Sequence, residues 1–146
     1  MKKILVLIFS LLILTSCSNN PKNCDLIGRW RSIEFYSDKP IDANRDGVYN
    51  KDLLKEYDCT VVIYDFMENG KVKRLSKSKR TKCKFNKSTL NYTVDGDQIT
   101  FTVSGMKQKH KFEIKDCKLH IYGIYGSGMT KSGKKSISIH SVFEKE

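Results

Sequence analysis

From Leu90 to Ile114 the chain alternates apolar and polar residues almost without a break. Leu90, Tyr92 and Val94 alternate with Asn91 and Thr93; Ile99, Phe101 and Val103 with Thr100 and Thr102; His110, Phe112 and Ile114 with Lys111 and Glu113. Aromatic and β-branched residues on a period of two describe strands with one buried face. The connectors are brief: Asp95-Gly96-Asp97, Gly105-Met106-Lys107 and Lys115-Asp116-Cys117. Connectors this short join antiparallel neighbours.

The pattern extends in both directions. Further strands are expected at Ile27 to Tyr36, Cys59 to Met67, Lys71 towards Phe85 with an irregular middle, Leu119 to Tyr125, and Lys135 to Glu144. Eight meandering strands close naturally into an up-and-down barrel, which removes exposed sheet edges. The expected fold class is therefore all-β, an eight-stranded antiparallel barrel; a two-sheet sandwich is the alternative. In the first strand Trp30 has even parity, but Ile33 and Phe35 have odd parity. A bulge near Arg31 or Ser32 would turn all three inward. The longer insertion after it holds Asn50-Lys51-Asp52-Leu53-Leu54-Lys55-Glu56-Tyr57. Asn50 is expected to cap a short helix whose Leu53, Leu54 and Tyr57 pack inward, as a lid on one barrel mouth.

The N-terminus is different in kind. Met1-Lys2-Lys3 precedes an apolar run from Ile4 to Leu14, too short to span a bilayer, and then Thr15-Ser16-Cys17. This is a secretory presequence. Its end resembles the lipobox of bacterial lipoproteins, which implies cleavage before Cys17 and acylation of the Cys17 thiol. Residues 1–16 are then signal peptide, 17–23 lipidated cysteine and polar tether, and 24–146 the barrel domain. Ser18, not aspartate, follows Cys17, so outer-membrane delivery is the expectation within the cell envelope.

The presequence holds two lysines and no acid, so 25 of 27 basic and all 16 acidic side chains remain, a formal +9. With Cys17 lipidated, Cys24, Cys59, Cys83 and Cys117 are left. An even number in an oxidising compartment suggests two disulfides, with three possible pairings. Zinc is disfavoured, because the spacings are wide and no CxxC pair occurs.

Leu26-Ile27-Gly28-Arg29-Trp30, opening a first strand, resembles the G-x-W start of lipocalin-like domains. The ordered set of Asp42-Ala43-Asn44-Arg45-Asp46-Gly47, Cys59, Phe66 and Asn69-Gly70 resembles lipocalin-like lipoproteins of the Bacteroidetes type. The resemblance spans residues 26 to 144 and implies a small barrel with an interior site. Many members have tryptophan where Tyr92 stands here. Along such a barrel, Cys59 and Cys83 share one end and Cys24 and Cys117 the other. Pairing 59 with 83 and 24 with 117 alone avoids crossing its length, and each bridge would contribute roughly 2–4 kcal/mol.

Several constellations could carry function. Asp42, Asn44, Asp46 and Asn50, with the Val48 carbonyl, match the first half of a calcium loop. Leu53 occupies the place of the closing carboxylate, for which Asp52 or Glu56 could substitute; a solvated turn is the alternative. Calcium is the one cofactor this pattern admits. Lys71, Lys73, Arg74, Lys77, Lys79, Arg80, Lys82, Lys84 and Lys87 form a basic run without an acid. The first six of these are the expected contact surface for anionic lipid or glycan; a charged edge serving solubility is the alternative. No nucleic-acid motif is present. His120 and His140 have outward parity and are expected to face each other across a hairpin. No nucleophile–base set, metalloprotease motif or phosphate loop stands out, so a binding protein is expected rather than an enzyme. Its ligand would be small and apolar or amphipathic, lined by inward Trp30, Tyr92, Phe101, His110, Phe112 and Phe143. The alternative is a filled barrel acting through its basic outer surface as an envelope structural or interaction module.

Overall fold

A computed structural model describes residues 24–146 apart from 58, 79 and 80, and omits the side chains of 124–127 and 129. The presequence, Cys17, the tether, Lys79 and Arg80 lie outside the described residues. The strands are β1 (Gly28–Ile41), β2 (Asn50–Asp52), β3 (Val61–Phe66), β4 (Lys71–Lys77), β5 (Asn86–Asp95), β6 (Gln98–Val103), β7 (Met106–Lys115), β8 (Lys118–Thr130) and β9 (Gly133–Lys145), with one helical turn, α1 (Leu53–Glu56). Each strand from β3 onward pairs antiparallel with the next. β1 pairs with both β3 and β9 and closes an eight-stranded barrel, while the short β2 is an extra flap on β1.

Tight turns make this meander possible. Ser104 and Gly105 both have positive φ, as do Asp116 and Cys117. That geometry at both central residues matches the twist of the flanking strands. The β6–β7 turn thus lies one residue earlier than the sequence suggests, and Met106 already belongs to β7. At the start of β1, Gly28 has φ +115° and the Lys145 side chain 3.1 Å from where a Cβ would stand. A side chain there would be strained, so glycine opens the strand that carries Trp30.

Other expectations shift. β4 ends at Lys77, not near Phe85, and the chain returns as β5 from Asn86. The bulge in β1 lies between Ser32 and Glu34, one step later than parity alone suggests. It turns Trp30, Ser32 and Phe35 toward the interior, whereas Ile33 joins neither core cluster. Val94 is 46% exposed because its strand is ending there. The α1 cap is Asp52, whose carboxylate accepts from the Leu54 N–H at 3.1 Å, and not Asn50, which lies in β2.

Two bridges tie the barrel ends. Cys24–Cys117 fastens the chain entry to the β7–β8 turn, and Cys59–Cys83 fastens the start of β3 to the β4–β5 connection. The end with Cys24 and Cys117 is the lower end below; that with Cys59 and Cys83 is the upper.

The core is unevenly distributed. Trp30, Phe66, Val72, Tyr92, Ile99, Phe101, Leu119 and Phe143 join Tyr64 and Ile121 in one cluster that fills the lower half. Its rings pack edge-to-face or stacked: Phe66 on Tyr92 at 5.0 Å and Tyr64 on Phe101 at 5.5 Å. Each such ring pair adds about 0.5–1.5 kcal/mol beyond burial. The polar atoms of the plug are satisfied: Trp30 Nε1 donates to the Leu26 carbonyl at 2.8 Å and the Tyr92 hydroxyl to the Met67 carbonyl at 3.0 Å. A smaller cluster of Ile41, Leu53 and Ile137 sits at the upper end, and Phe35 touches both.

Candidate functional site

Between the two clusters lies a cavity of about 210 Å³. Alternate residues of three strands build its wall. β3 supplies Val62 and Tyr64, β4 supplies Arg74, and β9 supplies Ile139, Ser141 and Phe143; Phe35 of β1 completes it. Leu53 of α1 and the adjoining Tyr57 form the lid, as expected of the insertion, and Tyr57 stands 38% exposed at the rim. Leu54 is only half-buried and does not line the space.

The wall is mainly apolar, yet three of its polar atoms lack partners. Thr60 Oγ1, Arg74 Nε and Ser141 Oγ are buried without a hydrogen bond, and Ser141 is fully buried. Such an atom costs about 1–3 kcal/mol. Three around one cavity form a set of groups ready for a ligand or for water. Arg74 lies against Tyr64, whose phenol is pushed above its ordinary value mainly by burial, with the guanidinium opposing that shift. The phenol therefore stays neutral and leaves the cation uncompensated.

Of the six interior residues expected from sequence, only Phe143 lines this cavity. Trp30, Tyr92 and Phe101 belong to the packed plug, and Phe112 packs against it half-buried. His110 leans on Phe101 at 5.9 Å; burial lowers its pKa, against the opposing effect of hydrogen bonds to the Gly123 and Tyr122 backbone. Arg74, expected on the outer basic surface, borders both spaces: it pairs in register with Tyr64 and lines the interior cavity, and it also borders the outer groove beside Lys73 and Lys87. Parity carried the signal: Arg74 is two residues from buried Val72, as Ser141 is from Phe143.

The outer basic run is real elsewhere. Lys71 and Lys73 are exposed, and Lys77 stands 5.3 Å over the ring of Phe85, itself 48% exposed. Arg29, Lys73, Arg74 and Lys87 border a groove of about 580 Å³ that also contains Asp65.

The Asp/Asn loop is compact, and its side-chain oxygens accept from its own backbone. Asp42 accepts from the Asp46 and Gly47 N–H groups at 3.1 Å each, Asp46 from the Val48 N–H at 2.7 Å, and Asn44 from the Asp46 N–H at 3.0 Å. The Asn50 amide is turned onto Glu56, whose buried carboxylate also accepts from the Ala43 N–H at 2.8 Å. These are turn bonds that fasten the loop to α1. Each bonded carboxylate oxygen keeps a further lone pair; among the described residues no three acidic, cysteine or histidine side chains group as a metal site.

His120 and His140 do meet on the outer wall, with Nδ1 and Nε2 3.1 Å apart. Tyr122 stacks on His140 at 4.3 Å and donates to Glu113 at 2.6 Å.

Comparison with curated proteins finds no match. Residues 1–18 match the family described as the prokaryotic membrane lipoprotein lipid attachment site, with Cys17 inside the matched stretch. The barrel thus belongs to a bacterial lipoprotein, held in the cell envelope through lipid.

Proposed function

We propose that this lipid-anchored barrel is a binding protein that holds a small amphipathic molecule in its upper cavity. The carrying observation is the apolar wall studded with three buried, unpartnered polar atoms. Apolar walls with a few convergent polar groups are the usual make-up of a ligand pocket. Its volume is below the drug-sized range of about 300–1,000 Å³, so the ligand is compact. The deepest hydroxyl, Ser141, has no hydrogen-bonded base, which favours binding over chemistry. Kinship with lipocalin-like lipoproteins is supported by Gly28 and Trp30 at the closed end of a meander barrel, and outer-membrane delivery by Ser18 after Cys17.

The test is native mass spectrometry of the lipoprotein from its own membrane, with titration of a fluorescent apolar probe. A retained small molecule and saturable one-to-one binding are expected. Val62→Trp, which fills the cavity, should abolish both; unchanged probe binding in that variant sinks the reading. The exposed groove of Arg29, Lys73 and Lys87 favours a second reading, docking to a polyanionic surface. In that case Lys73→Ser with Lys87→Ser should weaken binding, and added salt should do the same.

A further inference from the structure

We infer that the cavity's ligand is a monoanion whose carboxylate is held by Arg74. This rests on reading the cavity as a ligand site, and it adds the chemical class of the ligand. Arg74 is the one formally charged side chain of the lining. Some cations on the outer wall have carboxylate partners, as Arg29 has Glu146, Lys111 has Asp97 and Lys145 has Asp25, and others such as Lys71 and Lys73 face solvent. Among the described residues no ion pair involves Arg74. Its polar neighbour is the Tyr64 phenol, which burial keeps neutral. A cation partly withdrawn from water with only a neutral partner is unfavourable until an anion arrives.

The open positions define the head group. A guanidinium engages a carboxylate through two parallel N–H bonds, and its Nε edge is one place this occurs. Here Nε–H has no acceptor, so that edge is unused. The Thr60 and Ser141 hydroxyls line the same cavity and have donors to offer the remaining lone pairs. One cation matches one negative charge; a phosphate dianion would bring a charge the cavity does not balance. Phe35, Val62, Ile139 and Phe143 supply an apolar wall for the tail. The volume of 210 Å³ holds roughly seven groups of water size. The class is therefore a short-chain or compact aliphatic carboxylate.

The experiment titrates the mature lipoprotein in zwitterionic nanodiscs with hexanoate, hexanamide and hexylamine, which share one chain and differ in the head. Hexanoate should bind about tenfold to a hundredfold tighter than hexanamide, and hexylamine should not bind. Arg74→Met should bring hexanoate down to the level of the amide and leave the amide within about threefold. Equal binding of hexanoate and hexanamide, or a hexanoate affinity indifferent to Arg74→Met, overturns the inference and leaves the cavity reading intact. So does failure of all three to bind while the apolar probe still does. If neither the three compounds nor the probe binds, both fall. Should Arg74→Met fail to fold, the wild-type pH profile decides. An Arg74-held carboxylate loses affinity as pH drops through its own pKa, about 4 to 5. A merely apolar site gains affinity there, because the neutral acid partitions better.

Discussion

The two ends of this barrel are built from the same strands but obey different rules. At the lower end, aromatic rings interlock and every polar atom of Trp30 and Tyr92 has a partner. At the upper end the wall encloses a cavity, and Thr60, Arg74 and Ser141 of its lining keep unpartnered atoms, as do Gln98 and His110 away from it. Such atoms are a stability cost that folding alone gives no reason to retain. The difference separates residues that hold the barrel together from residues that can hold something else. It also separates the aromatic residues: Trp30 and Phe66 are structural, while Phe35 and Phe143 face both worlds.

The largest effect should come from the bridges. The Cys24–Cys117 link closes a separation of 93 residues and Cys59–Cys83 one of 24. Loop-closure entropy then assigns the lower bridge about 4–5 kcal/mol and the upper one about 3–4 kcal/mol. Urea unfolding of the two Cys→Ser pairs measures this; a larger loss from the upper pair would break the contrast. Next in size, Trp30→Ala should destabilise by about 3–5 kcal/mol and Phe35→Ala, beside existing free space, by about half as much. Similar losses would mean that the upper half is packed as tightly as the lower. Removing one hydroxyl from each end should act with opposite signs. Tyr92→Phe loses a satisfied bond and should cost about 1 kcal/mol, whereas Ser141→Ala removes an unsatisfied buried group and should stabilise the ligand-free protein by about 1 kcal/mol. Equal signs would refute the division.

The smallest effect concerns pH. His140 on the outer wall is held below the ordinary histidine value by burial and by His120, with Glu34 and Glu113 opposing; burial likewise lowers His110. Below about 6.5 the unfolded chain then binds more protons than the folded one, so stability should decline as pH falls through that window. A shallow drop in melting temperature between neutral and mildly acid pH is expected, reduced in His140→Asn. A rise on acidification would reverse the sign and rule out the depressed values.

Much of the fold was legible because period-two alternation and two-residue turns are local signals. Leu90 to Ile114 disclosed three strands, and the order of strands placed both disulfides. The cavity was harder to read. Arg74 was counted as one of nine cations in a run, and charge tallies ignore parity, whereas Val72 two residues away marks the inward face. Which inward aromatics fill the barrel and which bound a space depends on ring packing across five or more strands, and no window of sequence contains that. The cap of α1 was misread because Asn50 and Asp52 are both good caps; the pairing of Asn50 into β2 decided between them.

Cys24, pinned to the lower end, also sets the end of the barrel from which the chain leads back to Cys17. Six residues lie between it and Cys17, a reach of at most about 25 Å. The foot of the barrel is therefore leashed close to the bilayer, and the cavity beneath Tyr57 opens at the opposite pole. For the ligand proposed above, exchange at that pole would be with the aqueous phase, and release would go into water and not sideways into lipid.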